Sequence, residues 1–530
     1  MIIIDSSALR LALHGHSELA FLDVREQGEF GQCHLFHAVN APLSRFEMDV
    51  VRLVPRRGTR IVVTGGETPA LADRAVEALA RLGYTDISAC PDTPTGWEAA
   101  GFKLYSGINV PSKAFGEAVE HHFHTPSIDA GTLKAMQDGG DELVVLDSRT
   151  FAEYQNMNIP GGVSVPGGEL AYRVRDFAPN ETTTVVVNCA GRTRSIVGAQ
   201  SVINAGISNR VVALENGTMG WHLAGLELEH GRTDSFAAGD PDSIAAAQEM
   251  RARIAREYGI KTVDAETLSA WQDEAETRTL YLLDVRSPEE YAAGHLRGSR
   301  SAPGGQLVQA TDFQIGVPRG RIVLIDDTGV RATMTAHWLV QMGFADIHVL
   351  AGGLDNQAAQ VTGADLPVIP MDMEGITPED LAAEYESGRV TVIDLGESRV
   401  YRKAHIPDAH WAIRTRIADR VAGLPQEGLV VLTSADGLLA QMALAEVRAL
   451  TAARVRALVG GTDAWIAAGH PTDADPAIPP DEACVDVYLR AYDRNTGVEA
   501  RMQEYIDWEV ALIEQIANDP DVRFSLGPMA

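Results

Sequence analysis

Four short, densely apolar runs punctuate the chain: Ile61-Val62-Val63, Val185-Val186-Val187, Ile322-Val323-Leu324-Ile325 and Leu429-Val430-Val431-Leu432. Runs of this length, rich in β-branched residues and with no polar alternate face, predict strands buried on both sides. An Ala-rich stretch of helical character follows each. Three of these stretches close near Leu82-Gly83-Tyr84, Ala205-Gly206-Ile207 and Met342-Gly343-Phe344, where glycine suits a left-handed helix end. A third strand comes next, for example Arg210-Val211-Val212-Ala213-Leu214. Three copies finish near Trp97, Trp221 and Trp465, and Gln357 holds the equivalent place in the third. Strands alternating with helices predict an α/β fold of parallel sheets flanked by helices.

The first strand of each unit carries its own mark. An apolar run ends in Asp23-Val24-Arg25, Asp147-Ser148-Arg149 or Asp284-Val285-Arg286. A Glu-aromatic pair follows (Glu29-Phe30, Glu153-Tyr154, Glu290-Tyr291). The fourth copy is degraded to Asp394-Leu395-Gly396 with Val400-Tyr401. Eleven residues after each Asp stands His34, Asn158, His295 or His405. The nearly constant spacing identifies four homologous units, each long enough to be a domain. We place them at 1–106, 124–236, 257–368 and 374–473. The run Ala245 to Ile254 predicts a connecting helix between the second and third. The extension 474–530 changes character. Apolar positions from Val487 to Ile513 have helical spacing, with an interruption near Gly497. This predicts a helical segment packed on a domain or on a second subunit, so a homodimer is one expectation.

Composition narrows the class. A chain of 530 residues needs several cores. The net charge of −29 argues against a nucleic-acid partner, and it leaves any anionic ligand to local positive groups. No apolar run reaches the length of a membrane span, and Met1-Ile2-Ile3-Ile4 lacks the features of a signal peptide, so a cytoplasmic protein without a membrane partner is expected. Cys33, Cys90, Cys189 and Cys484 are scattered without a CxxC pair. They predict free thiols, with no disulfide framework, metal site or cofactor. His121, His122 and His124 read as a solvated helix end.

Cys189 alone among the cysteines has a suggestive setting. It follows a buried strand and opens the turn Cys189-Ala190-Gly191-Arg192-Thr193-Arg194-Ser195, ahead of a helix from Ile196 to Ala205. Free N–H groups at a helix start, with two arginines beside them, stabilise a thiolate and attract an anion. Asp147 and Arg149 end the neighbouring strand. Because the same pair recurs in units without a thiol, a structural ion pair is the simpler reading. Gly167-Gly168-Glu169-Leu170, with Tyr172 and Arg173, is a candidate pocket wall.

The Asp-x-Arg strand, the His-Ile-Pro-like turn, the cysteine loop and the terminal Gly/Trp turn together resemble the rhodanese (sulfurtransferase) family, as four tandem domains. The resemblance implies that the six-residue loop from Cys189 to Arg194 cradles a persulfide with its backbone amides. It further implies a small anionic sulfur donor such as thiosulfate, and an acceptor that is cyanide, a thiol or a protein. On this reading Arg192 binds the donor's oxyanion, and Arg194 buttresses the loop or shares that role. The equivalent first position carries no thiol elsewhere: it is Gly65 or Gly66 in domain 1, Asp326 or Asp327 in domain 3, and Ser434 in domain 4. A protein-to-protein sulfur relay is the alternative function. A cysteine phosphatase is a remote one, because four residues between Cys189 and Arg194 leave a shorter loop than phosphate needs.

Overall fold

The computed structural model describes residues 2–528 apart from 237–240, 357–359, 363–374, 386–387 and 425–426. Gln357 and the third-to-fourth domain junction therefore lie outside the described residues. Four parallel five-stranded sheets repeat along the chain with one strand order. In the second, the order is Val163–Ser164, Leu143–Asp147, Thr184–Asn188, Val211–Leu214, Ser127–Ile128. The apolar runs are the central strands: Val185, Val186 and Val187 are fully buried, with side chains in cores on both faces of the sheet. The predicted helix ends also occur, with Gly83, Gly206 and Gly343 all at positive φ.

The four turn residues share a structural task. His34, Asn158, His295 and His405 each pair with the chain segment that leaves the domain. His34 stacks on Phe30, His295 on Tyr291 and His405 on Tyr401, at centroid separations of 3.8 to 3.9 Å. Asn158 keeps the tie by backbone bonds to Glu229 (2.8 and 2.9 Å). Its departure from histidine thus costs no pairing.

The domains are not beads on a string. Domains 1 and 3 share one hydrophobic core, in which Leu53 and Phe46 join Tyr281 and Ile315. The connecting helix forms as Pro241–Glu257 and buries Ala247, Met250 and Ile254 between Tyr172 of domain 2 and Met334 of domain 3. Two elements differ from the sequence reading. Residues 107–123, read as a linker, contain a largely buried helix, Val110–Phe123. Among the described residues the tail is α-helical only over Val498–Ala517, starting immediately after Gly497 at φ 69°. Residues 486–490 are irregular and Ala491–Asp493 forms a single 3-10 turn. The tail helix packs within its own chain. Leu512 and Trp508 meet Val110 and Ala114 of the linker helix, and Met502 and Ile506 meet Met219 of domain 2.

Candidate active site

The strand Thr184–Asn188 ends beside Asp147, and Asn188 donates to its carboxylate (3.0 Å). Four residues separate it from the helix Thr193–Asn204, so Cys189 to Arg192 form a tight strand-to-helix turn. The turn is fixed from below by its carbonyls. Cys189 O accepts from Thr218 N (2.8 Å) and Ala190 O from Met219 N (3.0 Å). Arg192 O accepts from Ile196 N (3.1 Å) and from Ser195 Oγ (2.8 Å). The N–H groups of Ala190, Gly191 and Arg192 donate to no acceptor among the described residues. The Cys189 side chain, in a residue 2% exposed, donates from Sγ to Ser195 Oγ (3.4 Å).

Strand register settles the equivalent positions. Asn188 pairs with Asp147, Thr64 with Asp23, Ile325 with Asp284 and Thr433 with Asp394. Cys189 therefore corresponds to Gly65, Asp326 and Ser434. Domain 3 then shows what such a turn holds. The Asp326 carboxylate accepts from Gly329 N (2.6 Å), Arg331 N (3.0 Å) and Ala332 N (3.3 Å), the counterparts of Arg192, Arg194 and Ser195. An anion fills that cradle from within.

Burial outweighs these donors and Arg331, and pushes Asp326 up to about 6. A carboxyl raised in the folded state contributes stability below its ordinary value and loses that contribution as pH rises through the folded one. Wild type is expected to lose about 2 to 3 kcal/mol relative to Asp326→Asn between about pH 4 and pH 7. Denaturant unfolding of both proteins at the two pH values checks this. An unchanged difference would refute it.

The two loop arginines are both engaged by carboxylates. Arg194 makes a bidentate pair with Glu153 (2.8 and 2.8 Å). Burial works against both charges, but each holds the other ionised: Arg194 is raised and Glu153 sits well below the usual carboxylate range. Domain 3 repeats the pair as Arg331 with Glu290 (2.7 Å) although it has no thiol, so buttressing is a sufficient task for Arg194. Arg192 reaches the linker helix, donating to Glu117 (2.8 and 2.9 Å) and Glu120 and more weakly to Asn216 (3.4 Å). Burial pushes Glu117 up to about 7 despite this pair. The Arg192 guanidinium is thus engaged by protein carboxylates, while Arg192 also lines the pocket beside Cys189.

Tail and linker helix cover the turn. The side chain of Glu509 is fully buried; its Oε1 accepts from Thr193 Oγ1, from Thr193 N (3.4 Å) and from Lys113 Nζ (3.3 Å). A Cβ on Gly191 would lie 3.1 Å from Tyr505 and 3.3 Å from Glu509 Oε2, and one on Gly116 would lie 2.8 Å from Thr193. What is left is a pocket of about 60 Å³ lined by Cys189, Lys113, Arg194, Tyr488, Arg490 and Tyr505, among others. Lys113 stays charged because Glu509 offsets its burial. Arg490 is the freest cation there: its side chain is 51% exposed, with Glu153 3.8 Å away.

The other sequence candidates lie elsewhere. Asp147 and Arg149 pair with each other (2.7 Å), and Arg149 also ties Met157 O (2.5 Å), as the counterparts do in domains 1 and 3. Glu169 accepts from Arg331 of domain 3 (2.6 Å), and Arg173 lies over Tyr172. Gly167 and Gly168 press against Gly304 and Gly305. The wall expected from residues 167–173 is therefore a contact between domains 2 and 3 and not part of the Cys189 pocket. Sequence reading missed Lys113, Tyr488, Arg490, Tyr505 and Glu509, which fall in segments read as linker and packing tail.

Fold and site together define a protein of repeated α/β domains in which one of the four strand-to-helix turns carries a cysteine. The rhodanese-like domain model matches residues 7–100, 129–224, 264–360 and 377–468, and the chain belongs to the rhodanese family. The crystal structure of a thiosulfate sulfurtransferase from Pseudomonas aeruginosa is 45% identical, with a TM-score of 0.91 over 99% of each chain. Two curated relatives match single domains. The proposed sulfur carrier protein YrkF of Bacillus subtilis is 29% identical over 96 residues, 18% of this chain and 50% of YrkF. The thiosulfate sulfurtransferase GlpE of Pseudomonas paraeruginosa is 30% identical over 77 residues, 14% of this chain and 66% of GlpE. The chain thus spans about half to two thirds of the length of these two relatives. No helix among the described residues is long and apolar enough to cross a membrane.

Proposed function

We propose that this chain moves sulfane sulfur from a small anionic donor, thiosulfate first among them, to cyanide or a thiol through a persulfide on Cys189. The observation that carries the reading is the set of open N–H groups around Cys189, of which that of Arg192 has a domain 3 counterpart, Gly329 N, that donates to the Asp326 carboxylate. The Cys189 thiolate attacks the outer sulfur of thiosulfate. The sulfur–sulfur bond of the donor breaks, and sulfite leaves with its electron pair. The backbone donors of the turn hold the anionic persulfide. An acceptor then attacks the terminal sulfur and regenerates the thiolate; with cyanide the product is thiocyanate. Likeness to a thiosulfate sulfurtransferase along the whole chain supports this choice of donor.

Donor recognition falls to Arg490, with Lys113 behind it. Arg192 and Arg194 hold the turn in shape, and Asp147 and Arg149 tie down the neighbouring strand end. The small pocket and the cover of Tyr488 and Tyr505 favour inorganic anions over a protein carrying a persulfide, the relay reading. A reducing compartment such as the cytoplasm would keep the thiol available. Arg490→Ala is expected to raise the KM for thiosulfate about tenfold, the scale of one charge-assisted hydrogen bond, with kcat changed less than about twofold. Steady-state thiocyanate formation tests this, and an unchanged KM would remove Arg490 from the site.

A further inference from the structure

Four cations line the Cys189 pocket: Lys113, Arg192, Arg194 and Arg490. Among the described residues Lys113 pairs with Glu509, while Arg194 and Arg490 share Glu153. Arg192 has two carboxylates, Glu117 at 2.8 and 2.9 Å and Glu120. One carboxylate is enough to anchor a loop guanidinium, as Glu153 does for Arg194, so the second at Arg192 is surplus to that task. The Glu117 side chain is 4% exposed and its charge is poorly screened; that of Glu120 is 27% exposed. The other turns set this arrangement apart. Their helices start at Pro69, Val330 and Leu438, as that of domain 2 starts at Thr193. The residue before the helix, at the place of Arg192, is Thr68, Gly329 or Gly437 in the turns without a thiol. A guanidinium stands there only in the turn that carries the cysteine.

An anion in this pocket is attracted by Arg192 and repelled by the carboxylate bonded to it, and in a buried site both forces are large. Building on the sulfur-transfer reading, we propose that Glu117 sets the affinity of the Cys189 pocket for sulfur oxyanions, offsetting Arg192 so that thiosulfate is held weakly and sulfite is released. Glu117 does not line the pocket and acts through Arg192. The charged groups around Glu117 are Arg192 from the turn, Glu120 on its own helix and Glu509 from the tail, with Lys113 paired to Glu509. Burial, with Glu509 and Glu120 adding to it against Arg192, holds Glu117 at about 7. Its charge is therefore partial at neutral pH. A bound anion favours the protonated form, so affinity rises as pH falls through that value.

The test is calorimetric titration of full-chain Cys189→Ser protein with thiosulfate, which binds without turnover and keeps its charge between about pH 6 and about pH 8. Adding Glu117→Gln is expected to tighten thiosulfate about tenfold at about pH 8 and less than about twofold at about pH 6. Protein that keeps Glu117 should itself bind about tenfold tighter at the lower pH, and this comparison carries the test if the Gln variant fails to fold. Glu120→Gln, at a more solvated carboxylate, should gain less than about threefold. In turnover, Glu117→Gln should lower the KM for thiosulfate and strengthen inhibition by sulfite, a direction that loosened packing does not produce. Equal affinity with and without Glu117, affinity independent of pH, or no binding of thiosulfate would each overturn the proposal. Thiocyanate formation by wild type judges the sulfur-transfer reading separately. The tenfold ratio without thiocyanate would keep the role of Glu117 and remove sulfur transfer, and thiocyanate without the ratio would do the reverse.

Discussion

Replacing Cys189 with serine is expected to abolish thiocyanate formation and leave the fold intact. Serine keeps the small side chain and a hydroxyl able to donate to Ser195 Oγ, where Cys189 Sγ now donates at 3.4 Å. No cavity opens, so stability should change by less than about 1 kcal/mol. The hydroxyl, however, cannot serve as a thiolate nucleophile or carry the transferred sulfur. In wild type, thiosulfate should add about 32 Da, one sulfur, to the peptide containing Cys189. The remaining thiols have no equivalent turn: Cys90 and Cys484 are buried and Cys33 is half-buried. Labelling of any of these three, or turnover retained in Cys189→Ser protein, would place the chemistry elsewhere.

The second large effect is expected at a residue that never touches substrate. Gly217 has φ 53°, and a Cβ there would lie 2.2 Å from Cys189 O. Thr218 N binds that same carbonyl (2.8 Å), so the turn and the start of the helix Gly217–Leu223 are pressed backbone to backbone. Gly217→Ala must push the cysteine turn away from its support. A shift on the order of 1 Å in a site of this kind costs about 10²-fold in rate, and that is the loss expected in sulfur transfer. Gly225→Ala is the control. Gly225 also has positive φ, at 73°, but nothing lies within 4 Å of its added Cβ. It should cost only about 1 to 3 kcal/mol of backbone strain and keep turnover of the folded protein near wild type. Equal loss of activity in the two folded variants would refute the close-contact account. The same approach of glycine to the loop recurs at Gly353 in domain 3 and Gly461 in domain 4, which makes the contact a property of the fold.

Much of this architecture was legible because it is written in short patterns. Val185 to Val187 are buried on both faces of a sheet, and a continuous apolar run is how such a strand must read. Glycine at helix ends and the fixed distance from Asp147 to Asn158 are equally local. The tail misled for a physical reason. Val487 and Leu489 are buried, as helical spacing suggested. They are nevertheless not helical, because burial against other segments constrains polarity without dictating backbone conformation. Arg192 shows another limit of local patterns. A guanidinium beside a cysteine looks available for substrate, and no local pattern reveals that Glu117 and Glu120, more than 70 residues earlier, already hold it.

The sequence by itself determined the repeated α/β fold, the family likeness and the one loop of four that keeps a thiol. Each of these depends on residues within a few positions of one another. Only the tertiary structure decided which groups surround that thiol. Glu509 reaches Thr193 across 316 residues of chain, and Lys113, Arg490 and Tyr505 meet at Cys189 only because the linker helix and the tail fold over domain 2. Such contacts arise from the packing of buried surfaces between domains, where the partner of a charge is set by geometry and not by spacing along the chain.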